Sequence, residues 1–255
     1  DLTCQNPESK IPTPNLDALA HHGRRFTDAH SPSAVCTPTR YGLLTGRYAW
    51  RTRLKRGVLY GYAPPLIEAD RLTLPQLLRE AGYHTACIGK WHLGLGWQTK
   101  DGTALNDRPD LTGENVAFDK ALTWGPNDAG FDYFFGIAAS LDMPPYVYIV
   151  NDRCVSIPDA VRDTTFRPGL TAPDFKTVQV LPDLTDKAVN YIQERAKTPE
   201  SPFFLYFSLT APHTPVVPVS DVKGKSSAGD YGDFVYQVDM TIGRIVEALR
   251  AQNMI

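Results

Sequence analysis

The sequence has few cysteines, no strong excess of charge of either sign and no long hydrophobic run. Its 255 residues include 4 cysteines, scattered along the chain, which excludes a disulfide-stapled scaffold or a zinc knuckle with paired ligands. The formal net charge of -2 gives no general attraction to nucleic acid or anionic membranes, so any anion has to be recognised by a local cluster. The strongly apolar segment at residues 203–209 is far too short to cross a bilayer, so no membrane span is predicted.

The composition is that of a globular chain able to bury a core, with 42% hydrophobic and 21% charged residues. It indicates one domain, or one large domain cut short. The chain opens on Asp1 rather than Met and ends soon after a helical pattern. We therefore expect both ends to be cuts, and the missing leader says little about export.

Helical and strand patterns alternate along the chain. A helix is predicted from Thr13-Pro14 to Gly23, and a capping box at residues 73–76 opens another. The remaining predictions are a short strand at residues 85–88, a helix at 185–196, a fully buried strand at 203–209 and an amphipathic helix at 235–249. Helix followed by strand, twice, indicates an α/β fold.

The sharpest chemical feature is Cys36-Thr37-Pro38-Thr39-Arg40. Proline suits the first turn of a helix, so Cys36 is predicted at a helix N-terminus, where free N–H groups and the helix dipole favour an anion. Arg40 lies one turn further on and is expected to direct its guanidinium at the same place.

A second feature spans residues 82–92 and ends in Gly89-Lys90-Trp91-His92. Lys90 and His92 are two apart just beyond the predicted strand, so an extended chain would direct both side chains to one side. An ammonium neutralises an anionic oxygen and an imidazole moves protons, which suits ester hydrolysis. Cys87, inside an apolar run, is predicted to be a buried core residue.

Both segments resemble signatures of the sulfatase family, the first one at Cys36, Pro38, Arg40, Thr45 and Gly46. The resemblance implies that residues 1–255 are an incomplete sulfatase catalytic domain that hydrolyses aryl or carbohydrate sulfate esters. It implies an alkaline-phosphatase-like fold: α/β, with a mixed, mostly parallel sheet and helices on both faces. In this family a dedicated maturation enzyme oxidises the cysteine to formylglycine, whose hydrate carries the attacking oxygen.

The resemblance also implies roles for individual residues. Arg40 and Lys90 would stabilise the sulfate, and His92 would take a proton from the second hydroxyl of the hydrate, which expels sulfate. His213, in the segment 210–215, is similar to the family histidine that protonates the leaving alcohol. Ser140, which follows an aromatic run, would contact the sulfate group. Lys90, Ser140 and His213 would thus bind the substrate.

A divalent cation, usually calcium, is implied in the same way. Family members hold it with an Asp-Asp pair before the nucleophile, an Asp-Asn pair near the C-terminal side of the sheet, and the formylglycine itself, here Cys36. This sequence contains no adjacent Asp-Asp and no Asp-Asn-Gly after residue 200. The resemblance therefore implies that the carboxylate ligands lie outside this chain, so that its metal site is incomplete.

Two other functions fit the sequence. Phosphonate or phosphate ester hydrolases of the same superfamily also use C-x-P-x-R, and a truncated, non-catalytic remnant could bind sulfated glycans. A basic cluster after the nucleophile segment would meet a sulfated polysaccharide or form a solvated charged face; it comprises Arg47, Arg51, Arg53, Lys55 and Arg56. Export to a periplasmic, secreted or lysosomal location is a further implication of the resemblance.

Overall fold

The computed structural model describes residues 1–107, 112–162 and 167–255, which divide into two compact units. A helical unit comprises residues 1–30, 176–199 and 210–255. A sheet-containing unit comprises residues 31–175 and 200–209. Among the described residues, no helix is long and apolar enough to cross a membrane.

The strands of the described residues are β1 His84–Lys90, β2 Tyr133–Ile137, β3 Ile149–Val150, β4 Arg153–Cys154, β5 Ala160–Val161, β6 Leu170–Thr171 and β7 Phe203–Ser208. Five of them form the main sheet, in the order β4-β3-β2-β1-β7. Strands β1, β2 and β7 run parallel, whereas β3 and β4 add antiparallel pairs at one edge. A separate pair is formed by β5 and β6. The carboxyl ends of β1, β2 and β7 therefore meet at one edge, where parallel sheets carry their sites.

Strand β1 lies at the centre of the parallel part and is buried from its second residue onward. It confirms the strand predicted at residues 85–88 but is longer, so Lys90 belongs to the strand rather than to the loop beyond it. A Cβ at Gly89 would lie 2.0 Å from the Ser208 carbonyl oxygen, and one at Gly136 would lie 1.8 Å from the Gly89 carbonyl oxygen. Side chains at these two positions would therefore force the strands apart.

The prediction of a fully buried strand at residues 203–209 is right about the strand and wrong about its burial. In β7 only Ser208 is buried, and the five residues before it are partly exposed. Among the described strands, β7 pairs with β1 alone and forms an edge of the sheet. An edge strand can be apolar without being enclosed on both sides.

Two helices of the sheet-containing unit follow their predicted start signals. Helix α2 spans Cys36–Thr45 and ends at Gly46, whose φ of 65° is the left-handed conformation of a C-terminal cap. Helix α3 spans Leu74–Glu80, and the Thr73 hydroxyl accepts a hydrogen bond from the Gln76 N–H at 3.3 Å. The capping residue predicted at the start of α3 is confirmed.

The helical unit contains α1 (Pro14–His22), α4 (Val180–Arg195) and α5 (Gly229–Ala251). All three were predicted, but α4 and α5 begin earlier than their patterns indicate. In α4 the helix runs through Pro182, because the N–H groups of a first turn need no partner within the helix. Its buried stripe starts at Val180 and continues to Ile192.

A buried carboxylate in α5 caps the N-terminus of α1. Asp239 is 0% exposed and accepts hydrogen bonds from the Leu16 N–H at 2.8 Å and the Asn15 N–H at 3.2 Å. It also accepts one from the Asn15 amide at 2.8 Å. The N-cap residue Thr13 makes no side-chain capping bond, so Asp239 supplies the acceptor and the negative charge that a helix start requires.

Asp239→Ala should lower the free energy of unfolding by about 2–4 kcal/mol, because it leaves buried N–H donors without an acceptor. The measurement is urea unfolding followed by helical circular dichroism. Asp186→Ala is the control in the same unit, since Asp186 makes an exposed ion pair with Arg244 at 2.8 Å and should cost under about 1 kcal/mol. Equal losses in the two variants would contradict the capping role.

Candidate active site

The first turn of α2 places Cys36 at the edge of the sheet-containing unit. Cys36 is the first residue of the helix and is partly exposed, and Pro38 lies in the first turn. The predicted helix start is therefore confirmed. Free N–H groups and the positive end of the helix dipole surround this side chain, which favours an anion there.

Lys90 brings together two other predicted residues. It is 2% exposed, its Nζ donates to the Ser140 hydroxyl at 2.5 Å, and it interacts electrostatically with the Cys36 side chain. Ser140 is also buried and lies in the loop after β2. Since β1 and β2 are parallel neighbours, their carboxyl ends deliver Lys90 and Ser140 to the same place.

Arg40 lies beside Lys90. Its guanidinium donates to the Lys90 backbone carbonyl and interacts electrostatically with Tyr206. The Ser208 hydroxyl donates to the same carbonyl at 2.8 Å. Helix α2 is thereby joined to the ends of β1 and β7, and the positive charge of Arg40 is held near Lys90.

Burial lowers the pKa of Lys90 to about 8, and the positive charge of Arg40 lowers it as well. Cys36 and Asp142 act in the opposite direction. Asp142 is 5% exposed, and the Arg167 guanidinium lies 3.8 Å away. Burial takes water away from the Lys90 ammonium and so destabilises its charged form. A bound anion would stabilise that charge in place of the water.

His92 follows β1 and has a left-handed backbone conformation, with a φ of 58°. The extended chain that would carry Lys90 and His92 to one side is therefore not present at His92. The imidazole is 1% exposed, and its Nε2 lies 2.8 Å from the Leu59 carbonyl oxygen. A carbonyl only accepts, so Nε2 carries the hydrogen, and Nδ1 is the basic nitrogen of the neutral ring.

Thr37 was not singled out from the sequence, yet it fixes His92. Its hydroxyl donates to the His92 backbone carbonyl at 3.0 Å and accepts from the Leu59 N–H at 3.2 Å. All three residues are buried. Together with the bond from His92 to the Leu59 carbonyl, these contacts form a closed ring of three hydrogen bonds. The only sequence signal was its position directly after Cys36, at the predicted helix start.

His213 belongs to the helical unit. It is exposed, and its Nδ1 lies 2.7 Å from the Thr214 carbonyl oxygen. A carbonyl only accepts, so Nδ1 carries the hydrogen of this bond.

Comparison with known proteins identifies the family. The sequence model of the family described as Sulfatase matches residues 2–254. This chain belongs to the sulfatase family. It is 32% identical to N-acetylgalactosamine-6-O-sulfatase of Bacteroides thetaiotaomicron, covering 98% of this chain and 52% of that protein. It is 30% identical to human arylsulfatase A, covering 98% of this chain and 46% of that protein. The chain spans about half the length of these relatives.

Solved structures agree with this assignment. A Bacteroides thetaiotaomicron structure, titled for the metabolism of multiple glycosaminoglycans, has a TM-score of 0.83 at 30% identity and covers 99% of this chain and 57% of its own. A sulfatase from Pseudoalteromonas has a TM-score of 0.71 at 23% identity, covers 100% of this chain and 50% of its own, and shows likeness of fold alone. The predicted α/β class, with a mixed alkaline-phosphatase-like sheet, is confirmed.

Sulfatases generally depend on calcium, and the described part of this sulfatase-family chain does not offer a calcium cage. Within it, no three His, Cys, Asp or Glu side chains gather into a cluster that could hold a metal ion. Calcium takes six to eight oxygen ligands, whereas Lys90, which interacts with Cys36, and Arg40 beside it are cations.

The affinity of this sulfatase-family chain for inorganic sulfate should fall by about tenfold as the pH rises through about 8. Lys90 is charged below its pKa and neutral above it, so the site loses a positive charge in that direction. Titration calorimetry between pH 6.5 and 9.5 measures the effect.

Lys90→Arg should bind sulfate with little dependence on pH, because an arginine stays charged over the whole range. The matched control, Lys120→Arg, changes an exposed lysine and should keep the wild-type profile. A wild-type profile in Lys90→Arg would show that another group controls anion binding.

Proposed function

We propose that this protein hydrolyses sulfate esters of aryl or carbohydrate alcohols, with a nucleophile made by oxidising Cys36 to formylglycine. Membership of the sulfatase family supports the reaction class. The observation that carries the assignment of the site is the buried Lys90, which donates to the Ser140 hydroxyl and interacts electrostatically with Cys36. A maturation enzyme that generates formylglycine is the partner this chemistry requires.

The groups around Cys36 are suited to hold a sulfate group. Lys90 and Arg40 supply positive charge, the Ser140 hydroxyl is a neutral donor, and the N-terminus of α2 offers N–H groups. Such fixed donors stabilise the extra negative charge that develops on sulfate oxygens during displacement, without reorganising at that moment. Lys90, Ser140 and His213 are the proposed substrate-binding residues.

Formylglycine would supply a hydrated aldehyde: one hydroxyl would attack sulfur and displace the alcohol, and the other would stay on carbon as the carbonyl oxygen when sulfate is expelled. His213 would donate a proton to the alcohol oxygen as its bond to sulfur breaks. His92 accepts the proton of the second hydroxyl at Nδ1, the nitrogen left basic by its bond to Leu59. The two histidines thus act at different steps, one before and one after the alcohol leaves.

Calcium and export are further parts of the proposal. The calcium would be held by the formylglycine at position 36 together with carboxylates that this sequence does not contain. Export is proposed because the resemblance places the protein with periplasmic, secreted and lysosomal enzymes. Sulfated polysaccharides are proposed substrates beside small aryl sulfates.

Production alongside a formylglycine-generating enzyme should make the peptide containing Cys36 lighter by about 18 Da, the change from thiol to aldehyde. Mass spectrometry of that peptide and turnover of 4-nitrophenyl sulfate and an aryl phosphonate are measured on the same preparation. We expect sulfate turnover to exceed phosphonate turnover and to rise with the converted fraction.

Cys36→Ala should abolish this turnover. The matched control is Cys4→Ala, which changes a partly exposed thiol of the other unit and should remain active. An active preparation in which the Cys36 peptide is unmodified would refute the mechanism. Faster turnover of the aryl phosphonate than of the sulfate would favour the alternative function, a phosphonate or phosphate ester hydrolase.

His213→Ala in the matured protein should lower kcat/KM for alkyl sulfates about 100-fold more than for 4-nitrophenyl sulfate, since nitrophenolate departs without a proton. His92→Ala should instead release a burst of one alcohol per active site and then turn over slowly, because sulfate expulsion is impaired. Stopped-flow detection of the alcohol distinguishes the two. A burst from His213→Ala rather than from His92→Ala would reverse the two assignments. Equal losses of His213→Ala on alkyl and nitrophenyl sulfates would refute the role of His213 as the proton donor.

A further inference from the structure

A small pocket adjoins the start of α2, next in sequence to the nucleophile. Its volume is about 150 Å³, and its lining includes Val35 and Pro38, which flank Cys36, and Tyr48, Trp50 and Lys55. A short 3-10 turn, Ala49–Arg51, carries the aromatic part. All of these residues belong to the sheet-containing unit. The proposed roles of Cys36, Arg40, Lys90 and His92 leave this pocket unused.

Two aromatic rings at the pocket are exposed together. Tyr48 and Trp50 are 54% and 57% exposed, and their rings stack with centroids 6.0 Å apart and planes 17° from parallel. Two adjacent large rings left in water lose the stabilisation that burial would give, and such patches mark binding sites. The stacking holds the faces in a fixed orientation.

Part of the basic cluster is already neutralised, and part is not. Arg47 lies 3.9 Å from Glu68, and Arg53 contacts Asp107 at 2.7 Å. In the described ranges, the other three cations have no carboxylate partner; they are Arg51, Lys55 and Arg56.

The unneutralised cations are gathered at the aromatic rings. The guanidinium carbon of Arg51 lies 5.5 Å from the centre of the Trp50 ring, and Lys55 Nζ donates to the Trp50 carbonyl at 3.0 Å. Arg56 lines the same pocket. A chain with a net charge of -2 therefore concentrates uncompensated positive charge at one exposed aromatic pair.

We propose that this pocket binds an anionic sugar unit of a sulfated glycan substrate, next to the unit whose sulfate ester meets Cys36. The inference rests on the proposed function and extends it to substrate choice. The apolar face of a sugar ring matches an exposed indole, and Lys55, Arg51 and Arg56 match its sulfate or carboxylate groups.

The size and charge of the pocket select this ligand over others. Its volume is about 150 Å³, below the roughly 300–1,000 Å³ of pockets for drug-sized ligands, so it accommodates one unit and not a chain. A purely apolar partner would make no use of the charges of Arg51, Lys55 and Arg56, which have no carboxylate partner within the described ranges. A nucleic acid would require a longer basic track and a favourable overall charge.

The test is binding of a sulfated tetrasaccharide from chondroitin sulfate to the full protein carrying Cys36→Ala, measured by titration calorimetry. Because this protein cannot turn the probe over, the result does not depend on hydrolysis. Trp50→Ala and the double variant Lys55→Ala/Arg56→Ala should each bind about tenfold more weakly.

The matched control is the double variant Lys223→Ala/Lys225→Ala, which removes the same charge from exposed residues of the other unit and should bind normally. Since Lys55 and Arg56 are exposed, their double variant carries the test even if Trp50→Ala folds poorly. In the matured protein, the pocket variants should lower kcat/KM for the tetrasaccharide about tenfold while leaving 4-nitrophenyl sulfate turnover unchanged.

Three outcomes would overturn the proposal. The pocket variants could bind the tetrasaccharide as tightly as the parent, or the parent could fail to bind it because another part of the protein or a partner covers Trp50. Single-stranded DNA of equal charge could also bind as well and lose the same affinity in the variants. Normal binding by the pocket without any sulfate hydrolysis would instead refute the proposed function and leave the glycan site standing.

Discussion

The hydroxyl of Thr37 joins three separate segments of the site. It lies in the first turn of α2, donates to the backbone of His92 after β1 and accepts from Leu59 in an intervening loop. Because His92 in turn bonds the Leu59 carbonyl, the orientation of the imidazole and the position of the helix start are set together. A hydroxyl is required here, since a methyl group of the same size would leave a buried carbonyl and a buried N–H unsatisfied.

The charges of the site depend on this same arrangement. With α2 fixed against the end of β1, Arg40 reaches the Lys90 carbonyl and the ammonium of Lys90 meets Cys36 and Ser140. Burial removes water from the Lys90 ammonium, which lowers its pKa to about 8. The positive charge is thus concentrated at a helix N-terminus that already favours anions.

The sequence predicted the local features well and the connections between them poorly. Proline and glycine at helix ends located α1 and α2, and the signatures located Cys36, Arg40 and Lys90. The predicted full burial of β7 was wrong and the left-handed backbone of His92 was not foreseen, because both depend on neighbours that are distant in the chain. The roles of Thr37 in fixing His92 and of Asp239 in capping α1 were missed for the same reason, since each acts through partners that no short motif contains.

The close approach of β1, β2 and β7 affects how the second signature should be interpreted. Gly89 stands directly before Lys90, and a side chain at position 89 would collide with the backbone of β7. A side chain at position 136 would collide with the backbone of Gly89. Replacing Gly89 would displace Lys90 and so mimic the loss of the Lys90 side chain. Alanine scanning of this segment would therefore assign chemistry to a residue whose contribution is to leave space, and only a structure of the variant would separate the two causes.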